Sequence, residues 1–122
     1  MTDEMTYSLP TVLNVSSDRI DALRVAEYLD LPATGIAEIL ESPVHEVLAR
    51  PDSPALQSPL KKVVFVLGGL LALFGQDKTQ LLIWLNAPHP QLDHDTPLDL
   101  MRGTELDVIV EMVDDALSGA PA

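Results

Sequence analysis

The sequence contains no cysteine, and this absence removes several kinds of protein from consideration. Without cysteine there is no disulfide framework, no thiolate metal site and no cysteine nucleophile. Aromatic residues make up only 4% of the chain, so leucine, valine, isoleucine and alanine must build the core. Because 47% of the residues are apolar, a wholly disordered chain is excluded. We expect one ordinary domain, or two very small ones that share a core.

The sequence also lacks the features of a secreted or membrane-spanning protein. Residues 1–10 carry Asp3 and Glu4 and have neither the basic nor the apolar region of a secretory signal. The longest apolar run, Val63–Phe74, has twelve residues, whereas a membrane span needs roughly 20. We therefore expect a buried core helix in this run, no membrane partner and a cytoplasmic protein.

Basic residues are scarce: there are 7 of them against 19 acidic ones, for a formal net charge of −12. Residues 1–60 carry ten acids and three arginines, and residues 61–122 carry nine acids and four bases. DNA binding depends on lysine and arginine to neutralise phosphates, so neither half is suited to it by its charge. A basic protein partner fits better. The alternative, that acidity only keeps a small protein in solution, stays open.

No enzyme motif is present. The nucleophile elbow Gly-x-Ser-x-Gly, the phosphate-binding Gly-Lys-Ser/Thr loop and the zinc motif His-Glu-x-x-His are all absent. One loop holds side chains of the types that bind zinc or nickel, at His89, Asp93, His94 and Asp95. Their spacing, on a loop bounded by prolines, fixes no coordination geometry. We expect no catalytic activity, no cofactor and no metal.

The spacing of apolar residues predicts an all-α fold of about seven helices, because no strand-like alternation of useful length occurs. Cap residues and prolines place these helices at about 17–29, 34–40, 43–49, 60–74, 78–85, 97–101 and 105–117. Their predicted N-caps include Ser17, Ser42, Ser58, Asp77 and Thr96. The predicted organisation is an arm over 1–16, a helix-turn-helix-like region over 17–50, a linker over 51–58 and a second helical half over 59–122.

Residues 36–48 have the pattern of a helix-turn-helix, in which the small Ala37 allows two helices to approach closely. The turn carries Glu41 where such motifs usually have glycine. The second helix has no Arg, Lys, Asn or Gln before its end, although these types pair with base edges. The weak candidates for DNA contact are Val44, His45 and Arg50. We therefore expect residues 36–48 to form a helix-turn-helix-like scaffold that does not recognise a DNA sequence by itself.

A second pattern lies in the C-terminal half. The pair Trp84-Leu85 closes a helix, the loop Asn-Ala-Pro-His-Pro-Gln-Leu follows over 86–92, Thr96-Pro97-Leu98 starts the next helix, and a Gly103-containing turn precedes the last one. This order and spacing resemble the toxin-binding domain of the Xre/MbcA/ParS-type antitoxins over residues 59–119. One departure is visible: the family usually has a glycine before the Thr-Pro pair, where this chain has only Asp93-His94-Asp95.

The resemblance implies an antitoxin of a type II toxin–antitoxin system. Its partner would be a RES-domain toxin that degrades NAD, held inactive by an antitoxin that obstructs its active site, within a homodimer or a larger hetero-oligomer. A transcriptional regulator of its own promoter, acting alone or with the toxin, is the alternative, and a plain homo-oligomeric adaptor is another. The candidate toxin-binding residues are Trp84, Asn86, His89, Pro90, Thr96, Pro97, Arg102, Asp107, Glu111, Asp114 and Asp115.

Trp84 and the four acids of the last helix have a structural interpretation as well. Trp84 lies at helical spacing from Leu81, which favours the core over an interface. The acids of the last helix lie opposite a predicted inward stripe formed by Leu106, Ile109 or Val110, Val113 and Leu117. They would equally suit the solvated face of an amphipathic helix.

Overall fold

The computed structural model describes residues 13–14 and 19–119 of the chain. This part holds seven α-helices, one 3₁₀ helix and two very short strands, so the predicted all-α fold is confirmed. The helices are α1 (Ala22–Tyr28), α2 (Ala33–Leu40), α3 (Val44–Ala49), α4 (Pro54–Leu73), α5 (Lys78–Leu85), α6 (Pro97–Arg102) and α7 (Leu106–Leu117). The 3₁₀ helix is Pro90–Leu92, and the strands are β1 (Leu13–Asn14) and β2 (Arg19–Ile20).

Helix α4 is the central element of the core. It packs against β2, α1, α2, α5 and α7, and its fully buried side chains include Leu60, Val63 and Leu67. A single apolar cluster contains residues from α1 to α7. The N-terminal and C-terminal halves of the chain therefore share one core. Its side chains are almost all aliphatic, as the scarcity of aromatic residues requires.

The start of α4 corrects the sequence prediction. Residues 54–58 are helical and not part of a linker, because Pro54 takes the first position of α4 and Ser53 is its N-cap. Ser58 therefore caps nothing, and Pro59 lies inside the helix. The apolar spacing of Leu56 continues into the buried stripe of α4, and that burial outweighs the backbone hydrogen bond that proline removes. A division into domains at this point stays a prediction.

Helix α4 is also longer than the apolar run within it. By length and composition alone its 20 residues would be enough to cross a membrane, but half of the apolar window is buried inside the protein. The sequence argument that the segment is too short therefore no longer applies. We interpret α4 as a core helix, because it is buried against α1, α2, α5 and α7.

The first helix also begins later than predicted. Ser17, the predicted N-cap, lies outside the described residues. Arg19 and Ile20, which were predicted to be helical, form a strand. The side chain of Gln57 in α4 holds this strand: its Oε1 accepts from the Ile20 N–H at 2.9 Å and its Nε2 donates to the Ile20 carbonyl at 3.0 Å. Asp21 then caps α1, with its Oδ1 accepting from Leu23 N–H at 2.9 Å. Of the predicted arm over 1–16, only residues 13–14 are described, and they pair with β2.

The predicted N-cap is confirmed for α5 but is wrong for α3. Asp77 caps α5 by accepting from the Gln80 N–H at 3.2 Å, as predicted. Ser42 does not cap α3, because the N-cap position belongs to Pro43 and carries no side-chain hydrogen bond. Between α2 and α3, Glu41 adopts a left-handed conformation (φ 56°), in which a glycine would be free of strain.

A cation–π contact joins the two halves at the surface. The Nζ atom of Lys78, at the start of α5, lies 4.3 Å from the ring centroid of Tyr28 at the end of α1. Burial raises the pKa of the Tyr28 hydroxyl above its usual value. The contact helps to place α5, and with it the loop that follows, relative to the N-terminal half.

Candidate functional site

Helix α7 presents a face of carboxylates on a rigid support. Its inner residues Leu106, Ile109 and Val113 are buried, as predicted. The predicted inward residue Leu117 is different, since 41% of its surface is exposed. The acidic face consists of four exposed side chains: Asp107, Glu111, Asp114 and Asp115. Because the opposite side of the helix is fixed in the core, these charges are held in place before any partner arrives.

Two ion pairs involve residues predicted to bind the toxin. The Nζ atom of Lys62 on α4 lies 2.9 Å from Oδ1 of Asp107, so this acid is partly neutralised within the chain. The Nε atom of Arg102 at the end of α6 lies 2.7 Å from Oε1 of Glu38 on α2. Arg102 therefore ties the C-terminal half to α2. Both pairs are solvent-exposed, and such pairs contribute little to stability.

The loop after α5 is built around Trp84 and His89. The two rings lie with their centroids 5.0 Å apart, and the His89 Nε2 atom is 3.2 Å from the Trp84 carbonyl oxygen. Asn86, the C-cap of α5, donates from Nδ2 to the Leu82 carbonyl at 2.9 Å. Trp84 is only partly buried and packs at the edge of the core. It is therefore neither a fully buried core residue nor a free surface residue.

The acidic turn before α6 adopts a strained backbone. Asp93 and His94 have φ values of 56° and 69°, the left-handed region that favours glycine. Two backbone hydrogen bonds close this turn: His89 N–H donates to the Asp95 carbonyl at 3.1 Å, and His94 N–H donates to the His89 carbonyl at 2.9 Å. Two non-glycine residues therefore adopt the left-handed conformation in the segment where the family usually has a glycine. The two backbone hydrogen bonds keep the loop compact.

Helix α6 begins as the sequence predicts. The Thr96 hydroxyl accepts from the Asp99 N–H at 3.0 Å, and Pro97 follows at the first position of the helix. Pro97 is buried, whereas Pro90 at the start of the 3₁₀ helix is exposed. Of the loop candidates, Asn86, His89 and Pro90 are the ones whose side chains a partner could reach in part. Whether any of them touches a toxin stays a prediction.

Helices α2 and α3 lie in the predicted helix-turn-helix-like region and pack against each other. That they form a helix-turn-helix stays a prediction. Ala37 on α2 is buried. His45 and Arg50 on α3 are exposed, and Val44 is partly buried. The same exposed surface carries Glu46 and the apolar Leu48, which is 55% exposed. One arginine beside a carboxylate and an apolar side chain is a poor surface for phosphates.

An apolar groove lies beside α7. The groove has a volume of about 340 Å³, and its walls are residues of α4 together with Leu117: Lys61, Val64, Phe65, Gly68, Gly69, Ala72 and Leu117. Phe65 is 40% exposed, which is unusual for the side chain of a core helix. Periodicity could not reveal this face, because the run Val63–Phe74 is apolar on all sides.

The residues weighed as metal ligands do not form a site. Within residues 13–14 and 19–119 there is no group of three or more histidine, aspartate or glutamate side chains arranged to hold a metal ion. His89 is instead engaged with Trp84.

Comparisons with known proteins indicate the class to which this all-α chain with its acidic helix α7 belongs. Residues 70–119 match the family model described as the antitoxin Xre/MbcA/ParS C-terminal toxin-binding domain. Residues 70–119 therefore form the C-terminal toxin-binding domain found in the Xre/MbcA/ParS-type antitoxins. The resemblance drawn from Trp84-Leu85 and the Thr96-Pro97 start is confirmed.

The fold is similar to that of a solved structure. It matches a chain of the crystal structure of the M. tuberculosis MbcT–MbcA toxin–antitoxin complex with a TM-score of 0.53 and 19% sequence identity. The match covers 83% of this chain and 94% of that one. At this identity the similarity shows a shared fold. Among curated proteins, none matches this chain.

Proposed function

We propose that this antitoxin neutralises a RES-type toxin that degrades NAD, in the cytoplasm, by placing the acidic face of α7 against the toxin and obstructing its active site. The observation that carries the proposal is the exposure of Asp107, Glu111, Asp114 and Asp115 on one helix. The buried residues Ile109 and Val113 hold that helix in place. A preordered surface binds without the entropic cost of folding a disordered segment.

The charge of the partner site supports this choice of target. A pocket that binds the phosphates of a dinucleotide must be electropositive, so a carboxylate-bearing helix complements it. The formal charge of −12 on the whole chain would also speed the encounter with such a pocket at low salt. An inhibitor of this kind needs no catalytic group of its own.

The experiment is to purify the cognate toxin and to follow its consumption of NAD with increasing amounts of the antitoxin. We expect NAD loss by the free toxin and none once the antitoxin is in stoichiometric excess. A toxin that leaves NAD intact but is still inhibited in its own reaction would refute the RES assignment and keep the antitoxin function. Continued NAD loss in the stable complex would refute inhibition by occlusion.

Deleting α7 is a poor test of the same idea. Ile109 is fully buried and Val113 nearly so, both against the core, so a chain truncated after Gly103 would lose part of its core as well as its acidic face. Such a chain is expected to unfold in part. Charge reversal on the exposed side of α7 removes the proposed contact and keeps the fold.

The alternative is a DNA-binding regulator of its own promoter. The succession of the short helices α2 and α3 favours such a regulator. However, the only lysine or arginine on α3 or at its ends is the exposed C-cap residue Arg50. We expect no operator binding by the isolated chain in gel shifts across a range of salt concentrations. Salt-sensitive binding that Arg50→Ala abolishes would establish the regulator instead, and binding that requires the toxin would assign regulation to the complex.

A further inference from the structure

His89 holds together the loop between α5 and α6 (residues 86–95). Its backbone N–H donates to the Asp95 carbonyl at 3.1 Å, and its carbonyl accepts from the N–H groups of Leu92 and His94, both at 2.9 Å. Its side chain lies against Trp84, with the ring centroids 5.0 Å apart and Nε2 3.2 Å from the Trp84 carbonyl oxygen. This one residue therefore connects the end of α5, the 3₁₀ helix and the end of the loop.

The side-chain contact of His89 helps to satisfy the end of a helix. The last carbonyls of a helix have no partner within it, and Trp84 is the second-to-last residue of α5. Because a carbonyl oxygen can only accept, the His89 Nε2 atom carries a proton and donates. The side chain is partly buried and engaged in this contact. It supports the loop and is not free to bind a partner.

The loop is held in a conformation that costs free energy. Asp93 and His94 are consecutive non-glycine residues in the left-handed region, with φ values of 56° and 69°. Such strain persists only where surrounding contacts hold it, and it is common at binding sites. Both side chains are exposed, as is Pro90 at the start of the 3₁₀ helix. Burial of these side chains therefore does not offset the cost, and core packing does not explain the shape of the loop.

The helix before the loop presents an exposed side without charge. Residues 79–92 contain no aspartate, glutamate, lysine or arginine, although the chain has a formal net charge of −12. Thr79, Ile83 and the C-cap residue Asn86 are all exposed, and their spacing of four and three residues places them on one side of α5. We call these three residues the uncharged surface. Because the centre of a protein interface is depleted in charged residues, this side of α5 suits a protein partner.

We propose that the toxin makes a second contact, with the uncharged surface and the loop that follows it, and that His89 is the positioning residue of this contact. The inference rests on the proposed function, since the partner is the same toxin. Both elements lie within residues 70–119, which match the model of the toxin-binding domain. An uncharged contact excludes water without desolvating a charge, whereas the acids of α7 attract the cations of the toxin.

The first experiment places a charge on the uncharged surface and measures the affinity of the full chain for the cognate toxin by titration calorimetry. Ile83→Glu should raise the dissociation constant by about tenfold or more, because the new carboxylate loses its water in the complex. The control is Leu48→Glu on α3, which makes the same change of charge at a residue of nearly equal exposure, 55% against 54%. This control should bind the toxin as the natural chain does.

The second experiment tests the positioning role of His89 by the same measurement. His89→Asn shortens the side chain, so that it no longer reaches the Trp84 carbonyl, and should raise the dissociation constant by about tenfold. His89→Gln keeps an N–H donor at a similar reach and should restore most of the affinity. The matched control is His94→Asn, at an exposed histidine of the same loop. Asparagine tolerates the left-handed backbone at this position, so the affinity should not change.

Two further measurements separate the shape of the loop from the stability of the fold. Trp84 is the only tryptophan, so its fluorescence in the isolated chain reports on this loop. His89→Asn should change that fluorescence, and His94→Asn should not. Asp21→Ala removes the N-cap of α1, in the N-terminal half of the chain. It should lower the melting temperature and leave the affinity for the toxin unchanged.

Three results would overturn the second contact. Ile83→Glu and Leu48→Glu could bind the toxin equally well, or His89→Asn could keep its full affinity. Alternatively, Asp21→Ala could lose as much affinity as His89→Asn, which would make the loss an effect of stability. Any of these results, with the natural chain still bound to the toxin, would leave the acidic face of α7 as the proposed contact. A toxin that does not bind the natural chain would refute both the second contact and the proposed function.

Discussion

Gly69 of α4 lies directly beneath Val113 of α7, so closely that a Cβ atom added at Gly69 would overlap the Val113 Cγ1 atom and would lie 3.0 Å from Leu117 Cδ1. This contact sets the distance between the central helix and the helix that carries the acidic face. Any larger residue at position 69 must push α7 outwards or force Val113 into a poorer conformation.

We therefore expect Gly69→Ala to destabilise the protein. Alanine favours a helix over glycine by about 1 kcal/mol, but overpacking costs about 1–3 kcal/mol, and the stiff, buried Val113 can yield little. The free energy of unfolding from urea titration should fall. In the double variant Gly69→Ala/Val113→Ala, the loss should be smaller than the sum of the two single losses. A more stable Gly69→Ala variant would show that the helices are not in close contact.

The cap of α6 offers a local test. Thr96→Ala removes the hydroxyl that accepts from the Asp99 N–H and should lower the free energy of unfolding by about 1 kcal/mol. Thr96→Ser keeps the acceptor and should cost less. Equal losses in the two variants would mean that the hydroxyl does not cap the helix.

Leu85 lies in the core and Trp84 at its edge, so alanine substitutions at these two positions should differ in their cost to stability. Leu85 is fully buried, so Leu85→Ala should cost about 2–5 kcal/mol. Trp84 is only partly buried against the core, and Trp84→Ala is expected to cost less than Leu85→Ala despite the larger side chain removed. Chemical denaturation of both variants measures this order, and the reverse order would place Trp84 inside the core.

Features that depend on neighbouring residues could be predicted from the sequence. The caps at Asp77 and Thr96 need only the following turn of helix, and the inward stripe of α7 follows from its apolar spacing. The pattern around Trp84-Leu85 was specific enough to identify the toxin-binding domain. These elements are determined within about ten residues of chain, so the local pattern and the structure agree.

Features that depend on distant residues could not be predicted. The strand at Ile20 exists because Gln57, 37 positions away, satisfies its backbone. The start of α4 follows from the burial of Leu56 in a core that the whole chain forms. The groove at Phe65 was hidden because a run that is apolar on every side does not show which side stays uncovered.

The most direct test of the central claim is the affinity of the toxin for a charge-reversed α7. Glu111→Lys/Asp115→Lys changes two exposed acids on that helix, and the control Glu27→Lys/Glu46→Lys changes two exposed acids on α1 and α3, so both variants gain the same net charge. By titration calorimetry, we expect the α7 variant to lose most of its affinity for the toxin and the control to bind almost as the natural chain does. Equal affinities for the two variants would contradict the account, because the acidic face of α7 would then have no specific part in binding.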